Sequence, residues 1–108
     1  MLMSDPSNQS EPIIIVTDAD LEDIVPIFLA NRQKDIVAIQ AALATGEYET
    51  IRILGHGMKG VGSSYGFDLV TELGIQFENG AREQDEKAIS RALVQLEDYL
   101  KRVEVRYE

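Results

Sequence analysis

The sequence predicts an all-α protein, an up-down-up-down four-helix bundle with a short extra N-terminal helix. Two observations predict this fold. Apolar residues recur at spacings of three and four through four long segments, which is the period of one helix face. The turns between those segments are short, so consecutive helices should lie antiparallel. With 108 residues, the chain has the length of one domain with one core.

We assign residues 18–108 to the bundle and residues 1–17 to a disordered or extended N-terminal segment. Residues 1–12 are polar and contain two prolines, so we expect them to be disordered. Residues 13–16 are all β-branched. We expect them to lie extended across one end of the bundle rather than to form a strand. The alternative is that they pair with the alternating sequence Val103–Tyr107.

The first helical segment is divided by a proline. Asp18 is an N-cap residue type, and acidic residues follow it, so a short helix is predicted from Asp18 to about Val25. Pro26 ends it, because proline lacks an N–H and clashes with the preceding turn. A long helix is predicted from Pro26 to about Thr45, where Gly46 stops it. Its apolar face consists of Val25, Phe28, Leu29, Ile36, Ile39 and Leu43.

Three more helices are predicted by the same periodicity. The second runs from about Glu47 to Tyr65, and Gly66 is its natural stop. The third covers about residues 68–82, and the fourth about residues 84–102. The apolar residues of these last two helices, which should face the core, are Leu69, Leu73 and Phe77, then Ile89, Leu93, Leu96, Leu100 and Val103.

Composition excludes several classes of site and partner. The chain has no cysteine and one histidine, which excludes disulfides, thiolate chemistry and a multi-histidine zinc site within one chain. The formal net charge of −9 argues against a nucleic acid or an anionic membrane as partner, since both bind basic surfaces. No apolar run approaches the ~20 residues of a membrane span. We expect a cytoplasmic monomer.

The only histidine, His56, lies opposite the apolar stripe of the second predicted helix. At about 100° per residue, the apolar stripe lies about 140–220° from His56 and consists of Ile51, Leu54, Met58, Val61 and Tyr65. Arg52 and Lys59 lie within about 60° of His56, and Gly60 lies about 40° away. Glycine inside a helix costs about 1 kcal/mol relative to alanine. The glycines around His56 therefore indicate a face that needs close access, although Gly62, beside the apolar stripe, has close helix packing as its alternative explanation.

An exposed imidazole with a cation one turn away suits a phosphoryl carrier. Neutral imidazole is a nucleophile near neutral pH. The Lys59 ammonium can neutralise a phosphoryl group on it, and Gly60 leaves room for a partner's donor or acceptor group. The alternative for a lone exposed histidine is an ordinary surface residue. The chain has no glycine-rich phosphate loop, so we expect no ATP site of its own.

The sequence His56-Gly-Met-Lys59-Gly60, with Gly66 and Glu78 further on, resembles the signature of histidine phosphotransfer (HPt) domains, the phosphorelay intermediates of two-component signalling. The resemblance covers roughly residues 18–103. It implies that His56 is phosphorylated, that Lys59 stabilises the phosphate and that Gly60 provides steric access. One position departs from the pattern, because Gly57 stands where many HPt sequences carry serine or threonine.

The resemblance also implies partners and a type of activity. The partners are the receiver domain of a response regulator and a hybrid sensor histidine kinase. The receiver supplies the aspartate and the Mg²⁺, so this chain needs no cofactor or metal. The protein would be a phosphocarrier and not an enzyme. Two alternatives remain, namely an HPt-like adaptor or inhibitor that carries no phosphate, and a generic helical interaction module.

Three further residues are candidates for auxiliary or docking roles. Arg52 could act as a second cation, with a solvated surface arginine as the alternative. Ile53 is an exposed apolar residue about 60° from the histidine and could belong to a docking surface. Ser63 could donate a hydrogen bond. Glu78 is interpreted as structural, and Phe28 as core, with a place near the histidine face as the alternative.

Overall fold

The computed structural model describes residues 11–108 and shows a bundle of four helices. Consecutive helices pack against each other, and the fourth packs back on the first, so the predicted bundle is confirmed. No helix in this part of the chain has the length and apolar character needed to cross a membrane. The elements are β1 (Ile13–Thr17), α1 (Val25–Ala44), α2 (Tyr48–Val61), α3 (Asp68–Arg82), α4 (Glu86–Arg102) and β2 (Val103–Tyr107).

Aliphatic and aromatic side chains from all four helices form one core. Phe28 belongs to it, with only 4% of its surface exposed. Its ring stacks on that of Phe67 and meets that of Tyr65 edge-on, both at 5.2 Å between centroids. Each fully buried side chain of this size contributes about 1.5–3 kcal/mol to folding. The fully buried side chains include Ile39, Ile51, Met58, Leu73, Phe77, Ile89 and Leu96.

Glycines allow α2 and α3 to pack very closely. A Cβ atom on Gly55 would lie 2.7 Å from backbone atoms of α3, and one on Gly62 would lie 2.6 Å from another. From the α3 side, a Cβ atom on Gly74 would lie 2.6 Å from the α2 backbone. Close helix packing, which was the alternative explanation for Gly62, is therefore confirmed for this residue. The close approach brings side chains of α3 next to the exposed edge of α2.

The short N-terminal helix predicted from Asp18 to Val25 is wrong. The segment contains only a 3-10 turn, Ala19–Leu21, which Asp18 caps by accepting a hydrogen bond from the backbone N–H of Asp20 at 2.8 Å. Helix α1 begins at Val25 with Pro26 in its first turn, where the missing N–H has no cost. The few residues before the proline are too short a stretch to nucleate an α-helix.

Helix α2 is shorter than the sequence predicts. It ends at Val61 instead of Tyr65, and a separate 3-10 turn, Ser63–Tyr65, follows. The backbone N–H of Ser63 donates to the hydroxyl of Thr71 on α3 at 2.8 Å, which replaces the helical hydrogen bond. Gly66 ends the turn with a φ of 92°, a left-handed conformation that glycine adopts without strain.

The expectation that residues 13–16 do not form a strand is wrong. Strand β1 pairs in parallel with β2, in register from Ile13 with Val103 to Thr17 with Tyr107. An even number of antiparallel helices returns the chain to the end where it began, so the two segments meet there. A parallel pair needs a long connection, which the helices supply. Residues 1–10, which we expected to be disordered, lie outside the described residues.

Candidate functional site

His56 lies near the middle of α2 on the side away from the core. Its side chain is 64% exposed, whereas Ile51 and Met58 on the opposite side of the helix are buried. The ring nitrogen Nδ1 lies 3.0 Å from Oε2 of Glu78 on α3. Within residues 11–108, the other ring nitrogen, Nε2, has no hydrogen-bond partner. One side of the ring is therefore held by the protein and the other is open.

Glu78 is a buried carboxylate that binds three side chains. Its residue surface is 2% exposed. Oε2 accepts from Nδ1 of His56 and from Nη2 of Arg82, both at 3.0 Å, and Oε1 accepts from Nζ of Lys59 at 2.8 Å. The Lys59 hydrogen bond is the largest of the causes that lower the pKa of Glu78 from 4.5 to about 2, against burial, which raises it. The carboxylate is therefore ionised at neutral pH.

The ionised carboxylate determines which tautomer the neutral imidazole adopts. A carboxylate can only accept hydrogen bonds, so Nδ1 of His56 must be the donor. We assign the neutral ring to the Nδ1–H tautomer on this ground. The lone pair then resides on Nε2, the open nitrogen, which is the nucleophilic atom of this tautomer.

Two cations flank the imidazole, and both are anchored on Glu78. Lys59 lies one turn after His56, and its side chain is 38% exposed. Arg82 lies one turn after Glu78 on α3, and its side chain is 56% exposed. Because two cations share one carboxylate, the cluster has a net positive charge when the imidazole is neutral. An incoming phosphoryl group would meet favourable electrostatics.

Gly57 and Gly60 leave the α2 backbone bare beside the imidazole. Beyond its chain neighbours and the backbone of its own helix, a Cβ atom at either position would have no atom within 4 Å. Packing therefore does not require glycine at either position. The two residues lie one and four positions after His56, so the uncovered backbone borders the imidazole. Gly57 is the position that departs from the HPt pattern.

The three auxiliary candidates have different surroundings. Nε of Arg52 donates to Oε1 of Glu49 at 2.8 Å, and Nη2 of Arg52 donates to Oε2 at 2.6 Å. The Arg52 guanidinium is therefore paired with a carboxylate of its own helix. Ile53 is 56% exposed, one turn before the histidine. Ser63 lies beyond the end of α2, in the 3-10 turn, and is exposed. It does not continue the helical face of the histidine.

A shallow apolar groove lies between the start of α1 and the end of α2. Its volume is about 280 Å³. Its rim carries three exposed apolar residues, Ile24, Ile27 and Val61, which are 43%, 63% and 37% exposed. Val61 directly follows Gly60, so the groove adjoins the bare backbone beside the histidine. On the helical wheel Val61 belongs to the core-facing stripe, so the sequence did not predict this groove.

Arg32 forms one wall of this groove. Its guanidinium stacks on the ring of Phe28, 4.6 Å from the ring centroid. Its Nε donates to Oδ2 of Asp35 at 2.9 Å. Its Nη1 is buried and has no hydrogen-bond partner within residues 11–108. A buried guanidinium donor without a partner is unusual in a folded protein.

Arg82 was not among the predicted site residues, and Glu78 was predicted to be structural. Arg82 follows Glu78 by four residues, a spacing that predicts an ion pair on a helix, so a signal for this pair was present. The contact between Glu78 and His56 joins residues 22 positions apart on two helices. Only the close crossing of α2 and α3 brings these two side chains together.

Comparison with known proteins identifies the family. Searches of curated proteins and of solved structures find no match for this chain. The sequence model of the Hpt domain family matches residues 23–105. The matched range includes all four helices, the histidine cluster and most of β2, whereas β1 precedes it. The chain therefore belongs to the Hpt domain family, a domain type that acts in histidine phosphotransfer in phosphorelay signalling.

Proposed function

We propose that this protein is a phosphorelay intermediate that accepts a phosphoryl group on His56 from the aspartate of one receiver domain and passes it to another. The observation that carries the proposal is the imidazole held at Nδ1 by an ionised carboxylate, with Nε2 unpartnered. The donor would be the receiver domain of a hybrid sensor histidine kinase. The acceptor would be the receiver domain of a response regulator.

The proposed step is an in-line displacement at phosphorus. The Nε2 lone pair of His56 attacks, an N–P bond forms, and the P–O bond to the receiver's aspartate breaks. The aspartate leaves as a carboxylate. The ring keeps its proton on Nδ1 and gains positive charge, which the carboxylate of Glu78 stabilises across the Nδ1–H bond. The reverse step, with a second receiver, returns the ring to its starting state.

Lys59 would change partners during this step. In the resting state its ammonium binds Oε1 of Glu78. A phosphoryl group on Nε2 carries more negative charge and offers several acceptor oxygens, so Lys59 would turn toward it. Arg82 would continue to neutralise Glu78 through Oε2. The buried carboxylate would thus keep one cation throughout the cycle, as a buried charge requires.

The receiver domain would dock on the α1 side of the histidine. The bare backbone at Gly57 and Gly60 allows close approach, and the groove beside Val61 offers an apolar surface for a partner helix. Ile53 adds an exposed apolar contact.

The Mg²⁺ of the reaction would belong to the receiver. Within residues 11–108, no group of three or more His, Asp or Glu side chains could hold a metal ion. The side chains that share Glu78 with the imidazole, Lys59 and Arg82, are cations, which do not ligate metals. This chain would then contribute the nucleophile and the cations, and the partner would contribute the aspartate and the metal.

The test is a phosphotransfer profile. Each receiver domain of the same organism is phosphorylated with acetyl phosphate and mixed with the protein in the presence of Mg²⁺. We expect at least one receiver to give an acid-labile, base-stable phosphoryl group on this chain. ATP alone should give none. The variant His56→Gln should fold, since exposed positions usually tolerate substitution within about 0.5 kcal/mol. It should accept no label.

Two results would contradict the proposal. One is that the wild type receives no label from any receiver of the organism. The other is that His56→Gln retains the label. If the protein still bound a receiver or kinase without receiving phosphate, the adaptor function would replace the carrier function.

A further inference from the structure

The sheet formed by β1 and β2 is incomplete. A two-stranded sheet is marginal in water, and parallel strands are usually covered on both faces. Here the outer face exposes Ile14 and Val16, which are 40% and 53% exposed. Across residues 11–108, the backbone hydrogen bonds of the strands run between β1 and β2, and none reaches the outer edge of either strand. Within residues 11–108, neither outer edge pairs with a further strand, so each could accept one.

The outer edge of β2 has a charge pattern that is complementary to itself. Strand β2 reads Val-Glu-Val-Arg-Tyr, with Glu104 and Arg106 on either side of Val105. Both charged side chains are exposed on the outer face, and neither forms an ion pair within the described part of the chain. Strand β1 has no charged residue, so its edge has no comparable pattern.

We propose that two copies of this chain join through β2, paired antiparallel about a two-fold axis at Val105, to form a four-stranded sheet. This pairing places Glu104 of each copy opposite Arg106 of the other. Cross-strand pairs of opposite charge stabilise a sheet, and like charges opposite each other destabilise it. A parallel, in-register pair would place like charges together. A two-fold axis makes the contact self-complementary and closed, as in most homodimers.

The apolar residues of β2 agree with the same register. Val103 of each copy lies opposite Tyr107 of the other, and the two Val105 residues face each other. All three residues are half-buried and pack against the bundle core in one chain. The proposed pairing therefore joins the apolar, core-facing sides of β2 from the two copies into one apolar face. The charged pairs stay on the solvent side, which is the usual alternation of an antiparallel sheet.

The proposed dimer leaves the histidine accessible and does not depend on the proposed function. The strands pack at the end of the bundle, where the hydroxyl of Thr17 donates to the carbonyl of Tyr65 at 2.9 Å. Tyr65 lies about two helical turns beyond His56. The contact between two five-residue strands should bury less than the roughly 1,200 Å² of stable interfaces. We therefore expect a weak dimer, half-formed at on the order of 100 μM, instead of the monomer expected from the sequence.

The experiment is sedimentation equilibrium on the full chain from about 10 μM to about 1 mM, which brackets the expected dissociation constant. The average mass of the wild type should rise with concentration toward that of two chains. Glu104→Arg and Arg106→Glu should each weaken association by about tenfold or more, because both cross-strand pairs become repulsive. The double variant should associate like the wild type.

A mixture of the two single variants gives the sharpest result. Each variant alone places like charges opposite each other, but a heterodimer of the two places opposite charges at both pairs. An equimolar mixture should therefore associate as the wild type does. Arg91→Glu is the matched control, since it reverses an exposed arginine on α4 and should not change association.

Two outcomes would overturn the proposal. One is a wild type that stays monomeric across the whole concentration range. In that case, slow amide exchange along the outer edge of β2 would show that another segment of the same chain covers this edge. The other is a dimer whose affinity is the same in all these variants, which would assign association to a different surface. Circular dichroism melting of each variant checks that the fold is retained.

Discussion

The glycines on the two sides of α2 differ in what surrounds them. On the side that faces α3, a Cβ atom on Gly55 or Gly62 would come within 2.7 or 2.6 Å of backbone atoms. On the side of the histidine, a Cβ atom on Gly57 or Gly60 would have no atom within 4 Å beyond its chain neighbours and the backbone of its own helix. Packing requires the first pair and does not require the second. An exposed helical glycine lowers stability by about 1 kcal/mol, so the second pair indicates a function other than folding.

The two sides also make different contributions to the site. The packed side brings α3 close enough for Glu78 to hold His56 and Lys59. The open side leaves the backbone next to the imidazole free for a partner. Substitutions on the packed side should therefore affect the fold, and substitutions on the open side should affect phosphotransfer. The predictions below test this separation.

The largest expected effect is on stability at the helix crossing. Gly55→Ala should destabilise the protein by about 3 kcal/mol, because the new methyl group meets the α3 backbone, which cannot move aside easily. Gly57→Ala, two residues away, should stabilise it by up to about 1 kcal/mol. Urea unfolding of both variants measures this. Equal destabilisation by both substitutions would remove the distinction between the two sides.

The next largest effect concerns access to the imidazole. Gly60→Gln should slow phosphotransfer by about 100-fold, because a long side chain beside Nε2 keeps the partner's reacting group out of line. Gly60→Ala is the matched control and should slow transfer far less while increasing stability. Single-turnover transfer from a phosphorylated receiver gives both rates. If both variants transfer like the wild type, steric access does not explain this glycine.

Replacing the lysine should have a smaller effect on transfer. Lys59→Ala should slow transfer by about tenfold, which corresponds to the loss of one charge-assisted hydrogen bond to the phosphoryl group. Lys87→Ala, an exposed lysine on α4, is the control for the change in net charge. A transfer rate that is unchanged in Lys59→Ala, together with a strongly lowered melting temperature, would make this lysine purely structural.

The smallest effect on transfer is expected at Glu78. Glu78→Gln keeps an acceptor for Nδ1–H and loses the charge, so transfer should slow less than in Lys59→Ala. Its clearest effect is on the pH dependence of stability. The folded pKa of about 2 is below the ordinary 4.5, so the ionised carboxylate stabilises the fold fully above about pH 4.5 and this contribution is lost as pH falls toward 2.

Urea unfolding between pH 2 and pH 7 tests this linkage. The difference in unfolding free energy between wild type and Glu78→Gln should shift in favour of the wild type as pH rises from about 2 to about 4.5, and then stay constant. Parallel profiles for the two proteins would show that the neighbouring cations do not hold this carboxylate in its ionised form.

Local patterns in the sequence predicted most of the fold. The apolar spacing of α4 gave its buried side correctly, with Ile89, Leu93 and Leu96 in the core. The end of α2 was predicted too late, because a hydroxyl on α3 replaces the helical hydrogen bond there. The pairing of β1 with β2 was only the alternative to an unpaired extended segment, since strands at opposite ends of a chain carry no turn signal between them. Both misses are effects of residues distant in sequence.

The candidate site was predictable only where it depends on residues close together in the sequence. The positions of His56, Lys59 and Gly60 on one side of a helix follow from helical geometry within a few residues. The hydrogen bond between Glu78 and His56 does not follow from the geometry of one helix, because it depends on how closely two helices cross. The helical wheel also could not show that Val61 is exposed at the rim of a groove.

The role of Glu78 in fixing the tautomer of His56 is tested most directly by ¹⁵N NMR of the imidazole, since His56 is the single histidine. Spectra are recorded before and after phosphorylation with phosphoramidate, a chemical donor that needs no partner protein. We predict that the neutral ring carries its proton on Nδ1 and that the phosphoryl group attaches to Nε2. A neutral ring protonated on Nε2, or a phosphoryl group on Nδ1, would contradict the account, because both require that Glu78 does not hold the ring.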